Sequence, residues 1–247
     1  ANRQLFYYNG TSLTVLPDPD AGAVIDFVWI DGYYLMTDGT SLVVTELNDP
    51  TAVNPLKYGS SEIDPDDIVA VKKVRGELHA VNRHTIEVFD NIGGDLFPFS
   101  RIEGAQIPKG ALGTHCVCNY LDRLAFLGGG RNEPLASADL EDVLVESRSI
   151  KGQDLLYVHL PDKTLVYDNT ASQLLGDRVW FILSSGTNGY SAYPARNFVL
   201  CYDKWIVGNP VTTNTLGVMD ETISSQYGSL VDWEFGTSIL YGEGRGA

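Results

Sequence analysis

The side chains able to do chemistry are few and scattered. His115, Cys116 and Cys118 form the softest ligand group, which His159 or Cys201 could join only in space. A structural zinc site needs a tetrahedral set at short, paired spacings. No second cysteine pair supplies one, and two thiols two apart read as one strand carrying small buried cysteines. Asp64-Pro65-Asp66-Asp67 and Asp18-Pro19-Asp20 could offer oxygen ligands to calcium. Neither has EF-hand spacing, and Asp and Pro are ordinary turn residues. Gly128-Gly129-Gly130-Arg131 has the look of a phosphate cradle, but no Lys and Ser/Thr follow it, so it reads as a wide turn. Ser184-Ser185-Gly186 and Ser224-Ser225 lack a neighbouring base, and no Gly-x-Ser-x-Gly is present. The expectation is no catalytic, cofactor-binding or metal-binding residue, hence a protein that is not an enzyme.

Charge excludes a further class. Over 247 residues, 17 basic against 32 acidic side chains give a net charge of −15. That is the wrong sign for a surface that grips phosphates. Lys72-Lys73-Val74-Arg75 is the sole basic cluster, and it is expected along one strand and its turn. No run of 18 apolar residues could span a membrane, and no basic segment followed by an apolar one opens the chain as a signal peptide. Three cysteines, an odd number, are expected as reduced thiols. Ala1 in place of a Met, strand-like Leu5–Tyr8 and the Gly-rich Gly242–Ala247 are expected of a piece of a longer chain lacking both ends.

The elements that must position these residues repeat. Val24–Ile30, Asp31-Gly32, Tyr33–Thr37, Asp38-Gly39-Thr40 and Ser41–Leu47 read as strand, turn, strand, turn, strand. Asp-Gly suits such hairpins because a type I′ turn needs positive φ at both central residues. The pattern returns at Ile68–Asn91, His115–Leu127, Leu155–Tyr167 and Asn197–Gly208 with Thr215–Met219 beyond, with first turns at 31, 75, 121, 161 and 203, spaced by 44, 46, 40 and 42 residues. A half-unit precedes them: Asn9-Gly10-Thr11-Ser12-Leu13 is echoed by Asp38-Gly39-Thr40-Ser41-Leu42. A small antiparallel sheet cannot bury both its faces alone, but stacking such sheets around an axis does. The expectation is an all-β, β-propeller-like domain over residues 1–247, with a blade period of about 40–46 residues and little helix.

Phe27–Ile30 and Leu155–Val158, nearly continuous apolar runs, are expected as inner strands covered on both faces. Thr85–Phe89 alternates and is expected as an outer strand. Asn48–Asp67 and Asp90–Lys109 read as long loops, the former as one that could lose Asn54–Glu62 without unfolding. Ala136–Ile150 is the one helix candidate, from Leu140, Val143 and Leu144 at helical spacing.

An ordered series of segments carries a resemblance. It runs through Thr45-Glu46-Leu47-Asn48-Asp49-Pro50, Asp64-Pro65-Asp66-Asp67-Ile68 and Thr85-Ile86-Glu87-Val88-Phe89. It continues through Gln106-Ile107-Pro108-Lys109-Gly110, Gly113-Thr114-His115-Cys116, His159-Leu160-Pro161-Asp162-Lys163-Thr164-Leu165-Val166-Tyr167-Asp168 and Ser224-Ser225-Gln226-Tyr227. From Leu35 to Tyr227 the chain resembles the packaged-DNA stabilisation proteins of short-tailed phages, the tail accessory or tail-hub family. The resemblance implies a propeller-bearing virion protein, six copies of which form a ring beneath the portal and its adaptor ring. With a tail needle, that ring closes the channel after packaging and helps seat the tailspikes. It implies a place in the virion tail, reached from the host cytoplasm during assembly, and brings no catalytic residue or cofactor. Family members are longer at both ends, and the Leu140–Leu155 segment is shorter than the family leads one to expect.

The competing expectation is a carbohydrate-binding or glycoside-hydrolysing propeller, with Trp180, Tyr190, Tyr193 and Trp205 as its aromatic candidates. Against it stands ordinary packing of those rings between blades.

Overall fold

The computed structural model describes residues 3–63, 66–128, 142–185, 193–209 and 215–231. A hairpin of β1 (Phe6–Tyr8) and β2 (Leu13–Val15) comes first. The first four-stranded meander is β3 (Asp26–Ile30), β4 (Tyr33–Thr37), β5 (Ser41–Glu46) and β6 (Asp49–Ser60). The second is β7 (Ile68–Val74), β8 (Glu77–Asn82), β9 (Ile86–Asn91) and β10 (Phe99–Arg101). After the pair β11 (Val117–Tyr120) and β12 (Arg123–Phe126) comes a third meander of β13 (Leu144–Ile150), β14 (Gln153–His159), β15 (Thr164–Asp168) and β16 (Val179–Leu183). Helix α1 (Asn169–Leu175) lies between the last two of these strands. A three-stranded sheet of β17 (Val199–Cys201), β18 (Lys204–Gly208) and β19 (Leu216–Val218) follows, then the pair β20 (Ser225–Gln226) and β21 (Ser229–Leu230). Among the described residues, all strand pairings are antiparallel between consecutive strands. The chain is all-β, in small sheets arranged as the blades of a propeller.

Type I′ turns set the register. Asp31-Gly32, Arg75-Gly76, Leu121-Asp122, Lys151-Gly152 and Tyr202-Asp203 all have positive φ at both residues, and each joins the first two strands of its sheet. Such a turn matches the right-handed twist of the strands it connects. The pentamer echo is equally physical. Asn9 Oδ1 accepts the Thr11 and Ser12 N–H groups at 2.9 Å, and Asp38 Oδ1 accepts those of Thr40 and Ser41 at 2.8 Å.

The core is a series of layers between sheets. Ile30, Leu35 and Leu42 of the first blade pack on Ile68, Val71, Leu78 and Phe89 of the second. The opposite face of the second blade, with Val69, Ala70, Val81 and Ile86, packs on Val117, Leu124 and Phe126. Val69 and Ala70 are consecutive yet share a layer because the β7–β8 register shifts between Ile68 and Ala70. Each fully buried aliphatic side chain contributes about 1.5–3 kcal/mol, so a blade covered on both faces is the stable unit. Among the described residues, β3 packs against β7, β7 against β11 and β11 against β13, which places the first strands together at the axis.

Several expectations are corrected. Leu144–Ile150, expected in a helix, is strand β13; residues 136–141 lie outside the described residues. Leu155–Val158 belongs to β14, the second strand of its sheet, so that sheet's first turn falls at 151–152 and not at 161. The turn expected at Asp203-Lys204 lies one residue earlier. Thr85–Phe89 falls largely in β9, which is covered by β10 and buried. Most of Asn48–Asp67 is the long outer strand β6, and Asp90–Lys109 contains β10.

Candidate functional site

Polar side chains tie the first strands to one another. Asp26 Oδ2, on β3, accepts the Val71 N–H at 3.0 Å and the Lys72 ammonium at 2.6 Å, both on β7. Asn119, on β11, donates from Nδ2 to the Lys73 carbonyl at 2.9 Å, and its own carbonyl accepts the Ser147 hydroxyl of β13 at 2.7 Å. Glu146, also on β13, accepts the N–H groups of Asn197 (3.1 Å) and Phe198 (2.7 Å), just ahead of β17. Apolar layers are non-directional, so they hold blades together without fixing their offset. Directional bonds from side chains to backbone groups of the neighbouring blade fix it, and those to Asp26 and Glu146 are charge-assisted.

The expected basic cluster is absorbed into this scheme. Lys72 is bound to Asp26, and Lys73 sits 3.6 Å from Asp31 and over the Trp29 ring at 5.4 Å. The acidic turns are clamps as well. Asp18 caps the 3-10 turn Pro19–Ala21 through Asp20 N–H and reaches the Val53 N–H at 2.9 Å. Asp66 Oδ2 accepts from His84 N–H and Thr85 N–H at 2.6 and 3.1 Å; Asp64 and Pro65 lie outside the described residues.

The thiols do not converge. Cys116 is buried at the end of a 3-10 turn, Cys118 is on β11 and Cys201 ends β17. Burial pushes the Cys116 thiol up, and burial reinforced by the charge of Glu146 pushes Cys118 up to about 12, so the thiolate that a metal or a nucleophile requires is disfavoured. No three His, Cys, Asp or Glu side chains gather into a metal-binding group among the described residues. Gly128 lies against the Gly110 carbonyl, and Gly129 to Arg131 lie outside the described residues, as does Gly186.

The third meander holds charge inside. His159 is fully buried, with Nε2 2.9 Å from Glu146 Oε1 and Nδ1 3.1 Å from the Thr164 hydroxyl. Arg148, two residues along from Glu146, is 9 % exposed, with its guanidinium 5.7 Å from the Tyr157 ring centre and 5.3 Å from that of Phe198. It borders an open cavity of about 1200 Å³ lined by residues of β13, β18, β19 and β20. Of the aromatic candidates, Tyr193 and Trp205 line this cavity, as does Ser224. Trp180 packs on Tyr167 in another part of the sheet, and Tyr190 lies outside the described residues. Sequence reasoning did not single out Asp26, Asn119, Glu146 or Arg148. The available signal was a polar residue on the buried side of a first strand.

The comparisons with known proteins agree with this architecture. The family model described as "Bacteriophage P22 Gp10, beta-propeller" matches residues 1–138 and 134–224. The chain belongs to that family. Within it, the chain is 27% identical over 269 residues to the "Tail hub protein gp10" of Salmonella phage P22, covering 90% of this chain and 54% of the relative. It thus spans about half the length of the curated relative it matches. The segments that carried the family resemblance are packing and turn segments. Ile107 bridges Ile86, Gly110 lies against the turn between β8 and β9, and His159–Asp168 forms the hairpin of β14 and β15.

Proposed function

We propose that the protein is a structural component of a phage tail hub, and that residues 1–247 act in it as one propeller-like domain without catalysis. Its partners are further copies of itself in a ring, the portal and adaptor ring, the tail needle and the tailspike. It takes its place in the host cytoplasm during assembly and remains in the virion tail. It retains packaged DNA by closing the portal channel through protein–protein contacts.

The observation that supports closure over grip is the state of the one basic cluster. Lys72 and Lys73 face Asp26 and Asp31, in a chain of net charge −15. Phosphate binding needs cations free to displace counter-ions, whereas a plug needs stiffness. Family membership and the tail-hub relative support the tail assignment.

Two measurements test the proposal. A mobility-shift assay with duplex DNA at low salt is expected to give no complex, and tight, salt-sensitive binding would defeat closure without grip. Particles lacking the hub protein are expected to leak DNA and to retain it when the protein is added back. Failure of the add-back to restore retention would defeat the tail role.

A further inference from the structure

We propose that the cavity beside Arg148 binds a sugar acid, with the carboxylate on the Arg148 guanidinium and the sugar ring on the wall around Trp205. This is independent of the tail role. Arg148 is the starting point. Its side chain is about nine-tenths buried, with Nη1 against the Met219 sulfur and a hydrogen bond to the Tyr157 hydroxyl, but among the described residues its Nε has no hydrogen-bond partner and no carboxylate lies within ion-pair distance. The rings of Tyr157 and Phe198 hold the guanidinium in place and supply no counter-charge. An uncompensated buried charge is costly enough that proteins seldom keep one without a partner. Here the guanidinium opens onto a cavity of about 1200 Å³, large enough for a ligand to bring the missing anion.

The rest of the lining narrows the ligand class. Asp203, Asp220 and Glu221 share the wall with Arg148 and Lys204, so a doubly charged phosphate meets more repulsion than a single carboxylate. Trp205, Tyr193 and Tyr227 in the lining supply the aromatic surface on which the C–H face of a sugar packs. Ser224 and Gln226, also in the lining, add a hydroxyl and an amide that can hydrogen-bond sugar hydroxyls. A planar guanidinium binds a carboxylate through two parallel hydrogen bonds, which fixes the ligand's orientation.

The test titrates sodium D-glucuronate into the whole chain at low salt, following tryptophan fluorescence and thermal unfolding, with D-glucose and inorganic phosphate as controls. Glucuronate is expected to change the fluorescence and raise the unfolding temperature, and the controls are expected to bind at least tenfold more weakly. Arg148→Gln is expected to weaken glucuronate at least tenfold, and Arg148→Lys to recover part of the loss. Trp205→Leu, in the same lining, is expected to weaken it too and serves should the Arg148 variants not fold. Absence of glucuronate binding, equal binding of glucose, or unchanged affinity in Arg148→Gln would each overturn the proposal.

Discussion

Asp26 on β3 and Lys72 on β7 meet at 2.6 Å across the junction of the first two blades, and the same carboxylate oxygen holds the Val71 N–H. Both side chains are mostly shielded. Asp26→Ala leaves an amide and an ammonium without their acceptor and is expected to cost about 2–3 kcal/mol. Lys72→Met leaves the amide satisfied but strips the shielded carboxylate of its counter-charge, so it is expected to cost about 1–2 kcal/mol, less than Asp26→Ala. Urea unfolding of the two variants checks the difference. Equal, small losses would mean that the apolar layer alone holds the blades.

Removal of Asn54–Glu62 is expected to abolish cooperative folding. These residues supply the end of β6, where Tyr58, Gly59 and Ser60 pair with Val43, Leu42 and Ser41. They also supply Ser61, whose hydroxyl oxygen accepts from the buried Asn82 amide at 2.8 Å. Circular dichroism and a denaturant curve check this; a native-like, cooperative transition would show that the outer strand is dispensable.

The same segment shows where the sequence was legible and where it was not. Pro50 and Pro55 suggested a loop, yet an outer strand tolerates proline because one of its edges needs no partner. The turns Asp31-Gly32 and Arg75-Gly76 were readable because glycine takes the second left-handed position. Tyr202-Asp203 carries no glycine, so nothing in the sequence marks its bulky first residue as the one at positive φ, and Asp203-Lys204 looks equally turn-like. β13 was missed because Glu146 and Arg148 occupy its buried side, which inverts the alternation that marks a strand. Helix α1 was written in the sequence as an Asp168 cap and a terminal Gly176, and it is short enough to be overlooked. The cavity was not legible, since what distinguishes Arg148 is a missing counter-charge, a property of the fold and not of the strand.

Alkaline pH is expected to loosen the junction between β11 and β13. Cys118 is pushed up to about 12, and Tyr120, two residues along β11, also to about 12, both chiefly by burial. A folded-state value above the unfolded one means that the neutral group's stabilisation is complete below pH 9 and is lost as pH rises from 9 towards 12. For Cys118 the loss by pH 11 is at most about 3 kcal/mol. Urea midpoints are expected to fall between pH 9 and 11, less steeply in Cys118→Ala. Identical slopes would remove Cys118 from the account.

Gly110 is expected to be the least replaceable glycine among those described. A Cβ there would lie 2.2 Å from the Asn82 carbonyl oxygen and the Arg83 carbonyl carbon and 2.3 Å from the His84 nitrogen, all of them backbone atoms of the turn between β8 and β9. A side chain can rotate away from such contact, but this turn cannot. It is held by Asp66 through the N–H groups of His84 and Thr85, and by the Asn82 carbonyl accepting the Ala111 N–H at 2.9 Å. Gly110→Ala must therefore separate the second blade from the β11–β12 pair, and it is expected to cost more than about 3 kcal/mol. Gly76→Ala is the control. It carries φ +94° with open space around it, so only backbone strain of about 1–2 kcal/mol is expected. Denaturant unfolding of both variants gives the comparison. A Gly110→Ala loss no greater than that of Gly76→Ala would mean that the blades slide apart freely, which the ties between first strands forbid.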